Sequence, residues 1–179
     1  MTIDAARVHI RPWQREDVDA LHRLVRESHA SLSQWLAWCT PSYARDDAQA
    51  WIDYSLVSWR DRSAFPFAVV DTQTQTLLGS TGLSQVDMSN HTANLGYWIG
   101  TPYARRGTAT EAARQASRFG FDELGLQRII VRVLPDNHAS LGVARKLGAR
   151  RDGILHGDIT HGETPRDVWL HSLTRSDIT

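Results

Sequence analysis

Four segments of this chain carry helical patterns of apolar residues. The repeats over residues 15–30 and 45–62 predict two amphipathic helices, the second opened by acidic residues that suit a helix N-terminus. A third helix is predicted to begin near Thr108 and to run to about Leu124, and a shorter one to span residues 137–149. Two helices therefore precede, and two follow, a central block of different composition.

That block, and shorter segments around it, are rich in the β-branched, aromatic and aliphatic residues that are typical of strands. Strands are predicted at residues 7–13, 65–71, 76–86, 92–100, 127–134 and 168–173. The order is one strand, two helices, three strands, a helix, a strand, a helix and then strands. It predicts an α+β domain around a mixed sheet, and a length of 179 residues suits a single domain over residues 1–179.

Composition narrows the function classes. Twenty basic residues balance twenty acidic residues, so no overall field draws the chain to nucleic acid or to an anionic membrane, and we expect neither as a partner. The single cysteine, Cys39, excludes an internal disulfide and fits a reducing compartment. No apolar stretch has the length of a signal-peptide core or a membrane span, so we expect a cytoplasmic protein.

The segment "PYARRGTATEAARQAS", residues 102–117, joins a predicted strand to a predicted helix. Arg105, Arg106 and Gly107 lie in the loop, and the helix begins with Thr108 and Ala109. The unpaired N–H groups of a helix N-terminus favour an anion, glycine permits close approach, and guanidinium groups add charge-assisted contacts. No Walker pattern and no GxGxxG fingerprint is present. The segment therefore predicts a site for a phosphate-bearing ligand of another type.

This loop and three other segments resemble the GNAT N-acetyltransferase superfamily, most strongly its RimJ/RimL-type subgroup. The family's pyrophosphate loop reads Q/R-x-x-G-x-G/A, which Gly107 and Ala109 match, whereas Ala104 stands at the Q/R position. The segments "NLGYWIG", "DNHASLGVARKLGA" and "RDVWLHSL" extend the similarity over almost the entire chain. The resemblance implies the GNAT fold, a mixed and mostly antiparallel sheet of about seven strands with about four helices and a splay between strands 4 and 5. It also implies acetyl-CoA as the cofactor and direct attack of an amine on the thioester.

The resemblance assigns roles on both sides of the splay. Backbone groups of Trp98 and Ile99 are expected to pair with the pantetheine arm, and residues 105–109 to hold the pyrophosphate. Asn137 is a good helix N-cap by residue type, and the resemblance adds a contact with the cofactor. Ser140 matches the serine that lies beside the sulfur in RimL-like relatives, so it is expected to bind the cofactor and to donate a hydrogen bond to the thiolate.

An amine acceptor is mostly protonated at neutral pH, so transfer needs a proton acceptor. Asp87 is the first candidate base, because the turn after its strand is placed to face the acceptor end of the groove. Many relatives carry Glu where Asn94 stands, which makes deprotonation through water the alternative. Trp35 and Trp38 lie between the first two helices, a connection that borders the acceptor pocket in this fold. Contact with the acceptor is one hypothesis for these tryptophans, and ordinary core packing is the other.

Other features favour a structural interpretation. The side chains of Tyr97 and Trp98 are expected in the core, as is usual for aromatic residues on strands. His156 and His161 flank Asp158, but their spacing matches no zinc-binding helix pair, so we expect a solvated hairpin and no metal.

The sequence is compatible with more than one class of acceptor amine. An α-amine at the N-terminus of a peptide or protein is favoured, and a small amine such as a polyamine or an antibiotic would use the same motifs with a different pocket. Because Ala104 and Asn94 depart from the family pattern, a module that binds acyl-CoA without turnover is a third possibility. The subgroup resemblance also suggests a homodimer.

Overall fold

The computed structural model describes residues 7–161 and 163–178. The α-helices are α1 Val18–Leu32, α2 Arg45–Asp61, α3 Thr108–Asp122 and α4 His138–Lys146. The strands are β1 Val8–Pro12, β2 Phe65–Asp71, β3 Leu77–Asp87, β4 Thr92–Ile99, β5 Arg128–Val133, β6 Arg150–His161 and β7 Thr164–Leu173. The predicted helices and strands are confirmed, with ends that differ by a few residues.

Strand β6 is the element that the sequence pattern did not delimit, because only a hairpin was predicted near its end. It occupies one edge of the sheet, and most of its described side chains are exposed. An edge strand with little buried surface lacks the apolar alternation that marks a half-buried strand. Its pairing with β7 nevertheless confirms the predicted hairpin.

The strands form one sheet in the order β1-β2-β3-β4-β5-β7-β6. Every neighbouring pair is antiparallel except β4 and β5, which run parallel. The predicted α+β architecture, a mostly antiparallel mixed sheet with about four helices, is therefore confirmed.

Helices cover the sheet on opposite faces. Alternate residues of a strand face opposite sides, and β2 shows both: Ala68 and Val70 pack in one buried cluster with α1 and α2, whereas Phe65 and Phe67 pack in another with α3. The predicted apolar stripe of α1 is buried, as in Val25 with no exposed surface. No helix of residues 7–161 and 163–178 combines the length and the apolar character needed to cross a membrane.

The predicted splay between β4 and β5 is present. Their register holds at three positions only, Thr92 with Arg128, Ala93 with Ile129 and Asn94 with Ile130. Beyond Asn94, β4 continues for five residues beside β3 alone, while β5 continues beside β7, its other neighbour. The parallel pair therefore opens toward the carboxyl ends of both strands, where α3 and α4 begin.

Candidate active site

The opening between β4 and β5 is lined by backbone groups of β4. The N–H of Gly100 donates to the carbonyl oxygen of Leu78 on β3 at 2.8 Å. Because residues of an antiparallel strand alternate in the direction of their N–H and C=O groups, Trp98 directs its backbone to β3, and Tyr97 and Ile99 direct theirs to the opening. Of the predicted pair, Ile99 thus lies with its backbone at the splay, whereas the backbone of Trp98 lies on the opposite edge.

The loop after β4 is shaped by two residues with left-handed backbones, Arg105 with φ 63° and Gly107 with φ 80°. Gly107 caps α3, and the N–H of Glu111 makes the helical bond to its carbonyl at 3.0 Å. The N–H groups of residues 108–110 therefore have no carbonyl one turn back within the helix. Left-handed residues in such a loop turn successive N–H groups toward one concave side, which suits a phosphate oxygen. The loop therefore offers unpaired helix N–H groups beside a left-handed backbone, an arrangement that suits an anion.

Asn137 caps α4 at the other side of the opening. Its Oδ1 atom accepts the N–H of Ser140 at 3.0 Å, as its residue type predicted. The cap fixes the first turn of α4, and it sets the position of Ser140 beside the end of β5. Both residues are half-buried.

Tyr97 joins Ser140 across the opening. The phenolic oxygen lies 3.0 Å from the Oγ atom of Ser140, and the phenol donates to the carbonyl oxygen of the same residue at 3.2 Å. The sequence placed Tyr97 in the core, and its ring does pack against the cluster of α3 and β5. Its hydroxyl was missed because the contact spans 43 residues and depends on where the parallel register ends.

Burial raises the pKa of Tyr97 to about 12, because the ionised phenolate would lose its solvation there. The hydrogen bond with Ser140 acts in the opposite direction and is the smaller effect. At neutral pH the phenol therefore keeps its proton and acts as a donor. The phenol has one proton for two oxygens of Ser140. Directed to the carbonyl oxygen, it leaves the serine O–H to donate to Tyr97; directed to Oγ, it leaves that O–H available for another acceptor.

Asp87 lies at the end of β3 and holds its own turn together. Its carboxylate accepts the side-chain N–H of Asn90 at 2.7 Å and the backbone N–H groups of Ser89 and Asn90 at 2.9 and 3.0 Å. The side-chain bond from Asn90, with these backbone bonds, lowers the pKa of Asp87. Asp87 lies opposite Thr92, five residues or about 17 Å along β4 from Tyr97. The structure thus places this carboxylate away from Tyr97 and stabilises its ionised form.

Asn94 stands at the last paired position of β4, and its Oδ1 atom accepts a hydrogen bond from Arg132 at 2.7 Å. Arg132 also contacts Asp158, with Nε to Oδ2 at 3.1 Å. The position therefore carries an amide bound to a guanidinium, and Asp158 is held in an ion pair. Among the side chains described, no group of three or more His, Cys, Asp or Glu could hold a metal ion.

A cavity of about 910 Å³ lies on the other face of the sheet, between β3 and β4 on one side and α1 and α2 on the other. Trp38 and Trp98 are among its lining residues, whereas Trp35 is half-buried outside the lining. Asp47 contributes a carboxylate. The cavity meets the opening at Tyr97, which lines it as well. A ligand in the cavity and a ligand in the splay would therefore touch at Tyr97.

Comparison with known proteins places this geometry in context. Residues 7–150 match the family model described as the acetyltransferase (GNAT) domain. The chain is 27% identical to the uncharacterized N-acetyltransferase p20 of Bacillus licheniformis over 177 residues, which cover 98% of this chain and 97% of p20.

Two solved structures share the fold. One is a candidate ribosomal-protein-serine acetyltransferase from Vibrio cholerae, with a TM-score of 0.84 and 29% identity, over 97% of this chain and 99% of that one. The other is Mycobacterium smegmatis RimJ in complex with a CoA disulfide, with a TM-score of 0.87 and 21% identity, over 98% of this chain and 86% of that one. The likeness extends over almost the whole length of this chain.

Proposed function

We propose that this chain, which belongs to the GNAT acetyltransferase family and is an N-acetyltransferase, uses acetyl-CoA to acetylate the α-amino group at the N-terminus of a peptide or protein. The similarity to a candidate ribosomal-protein-serine acetyltransferase supports a protein acceptor, and the similarity to a CoA-bound RimJ supports the cofactor. The observation that carries the choice of acceptor is the sparse supply of carboxylates around the cavity.

The residues of the splay fit the cofactor. The N–H groups of residues 108–110, the exposed guanidinium of Arg105 and the left-handed Gly107 would hold the diphosphate, with Arg106 beside them. The backbone groups of Tyr97 and Ile99 would pair with the amides of the pantetheine arm. Asn137 and Ser140 stand at the far side of the same opening, where the thioester would end.

We assign Ser140 to the leaving group. Acetyl-CoA supplies an activated acetyl thioester, and its transfer leaves a thiolate. Ser140 would donate its O–H to that sulfur when the single proton of the Tyr97 phenol is directed to Oγ of Ser140, since the serine hydroxyl is then free to donate outward. The high pKa of Tyr97 keeps this relay protonated throughout the neutral range.

An α-amine needs less help with its proton than other primary amines. Its pKa of about 8 leaves roughly a tenth of the groups neutral at pH 7, whereas a lysine-like amine with a pKa of about 10.4 is neutral in fewer than about one molecule in a thousand. Asp87 lies far from Tyr97 and has a lowered pKa, so we assign the proton to solvent water rather than to that carboxylate. The site thus matches an acceptor that is already partly neutral.

A polyamine acceptor fits the cavity poorly. Each of its ammonium groups requires a carboxylate or comparable partner to offset the loss of water. Among the residues that line the cavity, Asp47 carries the sole charge, and its Oδ2 atom already accepts the N–H of Ala44 at 2.7 Å. A neutral or singly charged acceptor is therefore favoured.

The test is titration calorimetry with acetyl-CoA followed by thiol release with three acceptors. These are a hexapeptide with a free N-terminus and no lysine, the same peptide with its N-terminus blocked, and spermidine. We expect thiol release with the free peptide alone and an added acetyl group on its α-amine by mass spectrometry. Release with spermidine alone would identify a polyamine acetyltransferase. Binding of acetyl-CoA without release from any amine would favour the module that binds without turnover.

A further inference from the structure

The cavity beside β4 is bordered by several small residues of the two central strands. Ser80, Gly82 and Ser84 on β3 and Gly96 on β4 line it, and Gly82 lies directly opposite Gly96. Of the alternate positions on the other face, Leu83, Leu95 and Tyr97 pack in the core. The space between sheet and helices therefore stays unfilled on this face.

The space next to Gly96 on β4 is open. A Cβ atom added there would meet no heavy atom within 4 Å, although the residue is in the middle of a seven-stranded sheet. The same atom at Gly82 would come within 2.8 Å of the backbone of Phe65 and Pro66. The cavity thus reaches the strand itself at Gly96, one residue before Tyr97.

Aromatic rings form the walls. Besides Tyr97, the lining includes five aromatic residues, Trp38, Tyr43, Trp51, Tyr54 and Trp98. Trp38 lies 5.9 Å from Trp98 and 5.8 Å from Tyr43 between ring centroids, and Trp51 lies 5.5 Å from Tyr54. Such tilted pairs present both ring faces and ring edges to a further aromatic group.

Two of these rings are exposed, Trp38 at 43% and Tyr54 at 52%. Large exposed aromatic residues that border one concavity mark a binding site more often than a chance surface. The volume of about 910 Å³ is much larger than a small side chain such as that of serine or alanine. Asp47 is the one charged residue among the described residues of the lining, so the cavity offers few partners for a charged side chain.

From the small residues on β3 and β4, the aromatic lining and the single carboxylate of Asp47, we infer that the acceptor carries a large apolar group, preferably aromatic, next to its reacting amine. This inference rests on the proposed function, under which the group is the first side chain of the acceptor peptide. The amine would lie at Gly96 and Tyr97, where the cavity meets the splay, and the side chain would lie against the paired rings of Trp38 and Trp98.

The experiment compares hexapeptides that differ only in a first residue of Phe, Trp, Leu, Ser or Asp, with kcat/KM measured by thiol release. Burial of an aromatic side chain predicts a preference for Phe and Trp over Ser of about 10- to 100-fold. Phenethylamine and ethanolamine form a second pair that lacks the peptide. A preference for the Ser peptide overturns the inference and leaves peptide acetylation standing. Acetylation of phenethylamine with no reaction of any peptide overturns the peptide acceptor and supports the apolar pocket.

A pair of glycine variants tests the location. Gly96→Leu fills the cavity, and we expect the preference for Phe over Ser to fall at least about 10-fold. Gly153→Leu on β6 is the matched control, since its added Cβ atom also meets nothing within 4 Å, and it retains the preference. Equal selectivity in both variants overturns the inference.

Binding gives a readout that does not need turnover. Quenching of tryptophan fluorescence is titrated with the Phe and Ser peptides in the presence of CoA. Tighter binding of the Phe peptide that is lost in Gly96→Leu supports the inference, and equal dissociation constants overturn it.

Discussion

The hydroxyl of Tyr97 lies 3.0 Å from the hydroxyl of Ser140, so a side chain of β4 meets the first turn of α4 across the opening between β4 and β5. Each of the two hydroxyl groups carries one proton. Ser140 has one proton and two acceptor sites, and Tyr97 has a phenol that burial keeps protonated. When the phenol proton is directed to Oγ, the two form a relay whose last donor is the serine.

Removal of the serine hydroxyl tests that relay. We expect Ser140→Ala to lower kcat about 100-fold, the lower end of what a positioned proton donor contributes. The affinity for acetyl-CoA should change less than about threefold, because the N-cap bond uses the backbone N–H of residue 140 and not its side chain. Stopped-flow thiol release and calorimetry give the two quantities. Ser89→Ala, at an exposed turn, is the control. An unchanged kcat in Ser140→Ala removes this residue from the mechanism.

The buried tyrosines predict a loss of stability at alkaline pH. Burial raises the pKa of Tyr97 and of Tyr43 to about 12, against about 10 in an unfolded chain. Below pH 10 both states hold the proton and nothing changes. Between about pH 10 and 12 the unfolded chain alone releases it, so the free energy of unfolding falls as pH rises, by about 1 to 2 kcal/mol for each tyrosine.

Urea denaturation at pH 9 and pH 11 measures this fall. Tyr97→Phe and Tyr43→Phe should each make it shallower, even though both variants start from a lower stability through the lost hydroxyl. Tyr54→Phe, at a side chain that is 52% exposed, should leave the fall as in the parent. A fall of the same size in all four proteins would contradict the assignment of the alkaline effect to Tyr97 and Tyr43.

Sequence patterns predicted the loop and the helix cap of this site better than its tyrosine hydroxyl and its cavity. The glycine and arginines of the loop are consecutive, and Asn137 and Ser140 are three residues apart, so local spacing and a family resemblance located them. The hydroxyl of Tyr97 needed the position at which β4 and β5 stop pairing, which no local pattern encodes. The cavity was missed for a related reason. It arises from small residues such as Gly82 and Gly96 that lie opposite each other on two strands, and each strand alone has an ordinary composition.

The loop arginines should contribute to cofactor binding through charge. We expect the double variant Arg105→Ala, Arg106→Ala to weaken acetyl-CoA binding about 10-fold at low ionic strength, with a smaller difference in 0.5 M salt. Calorimetry at both salt concentrations measures the effect. Arg118→Ala, an exposed arginine farther along α3, is the matched control. Equal affinity of the double variant and the parent at low salt would exclude a pyrophosphate contact for these side chains.

Gly107 tests the backbone of the same loop. Its φ of 80° disfavours any residue with a Cβ atom, so Gly107→Ala should lower the free energy of unfolding by about 1 kcal/mol. Gly125→Ala is the matched control, because Gly125 has a φ of 67° and open space around its missing Cβ atom. Both variants should lose similar stability, and Gly107→Ala alone should lose affinity for acetyl-CoA. Equal cofactor affinity in the two variants would show that the loop geometry serves folding only.

Asp87 separates two routes for the acceptor proton. Asp87→Asn keeps an Oδ1 atom for the N–H groups of Ser89 and Asn90, so the turn is retained and only the side-chain bond from Asn90 is lost. If water takes the proton, the variant should keep kcat within about twofold, and kcat/KM should rise with pH along the ionisation of the acceptor α-amine near pH 8. If Asp87 is the base, kcat should fall about 100-fold or more at pH 7 and recover as the pH rises and more amine becomes neutral.

The lowered pKa of Asp87 and its place at the closed end of the β4–β5 pair favour the first outcome, because a carboxylate that is stabilised as an ion is a weak base wherever it lies. Profiles of kcat and kcat/KM from pH 6 to pH 10, for parent and variant with one peptide, distinguish the two routes.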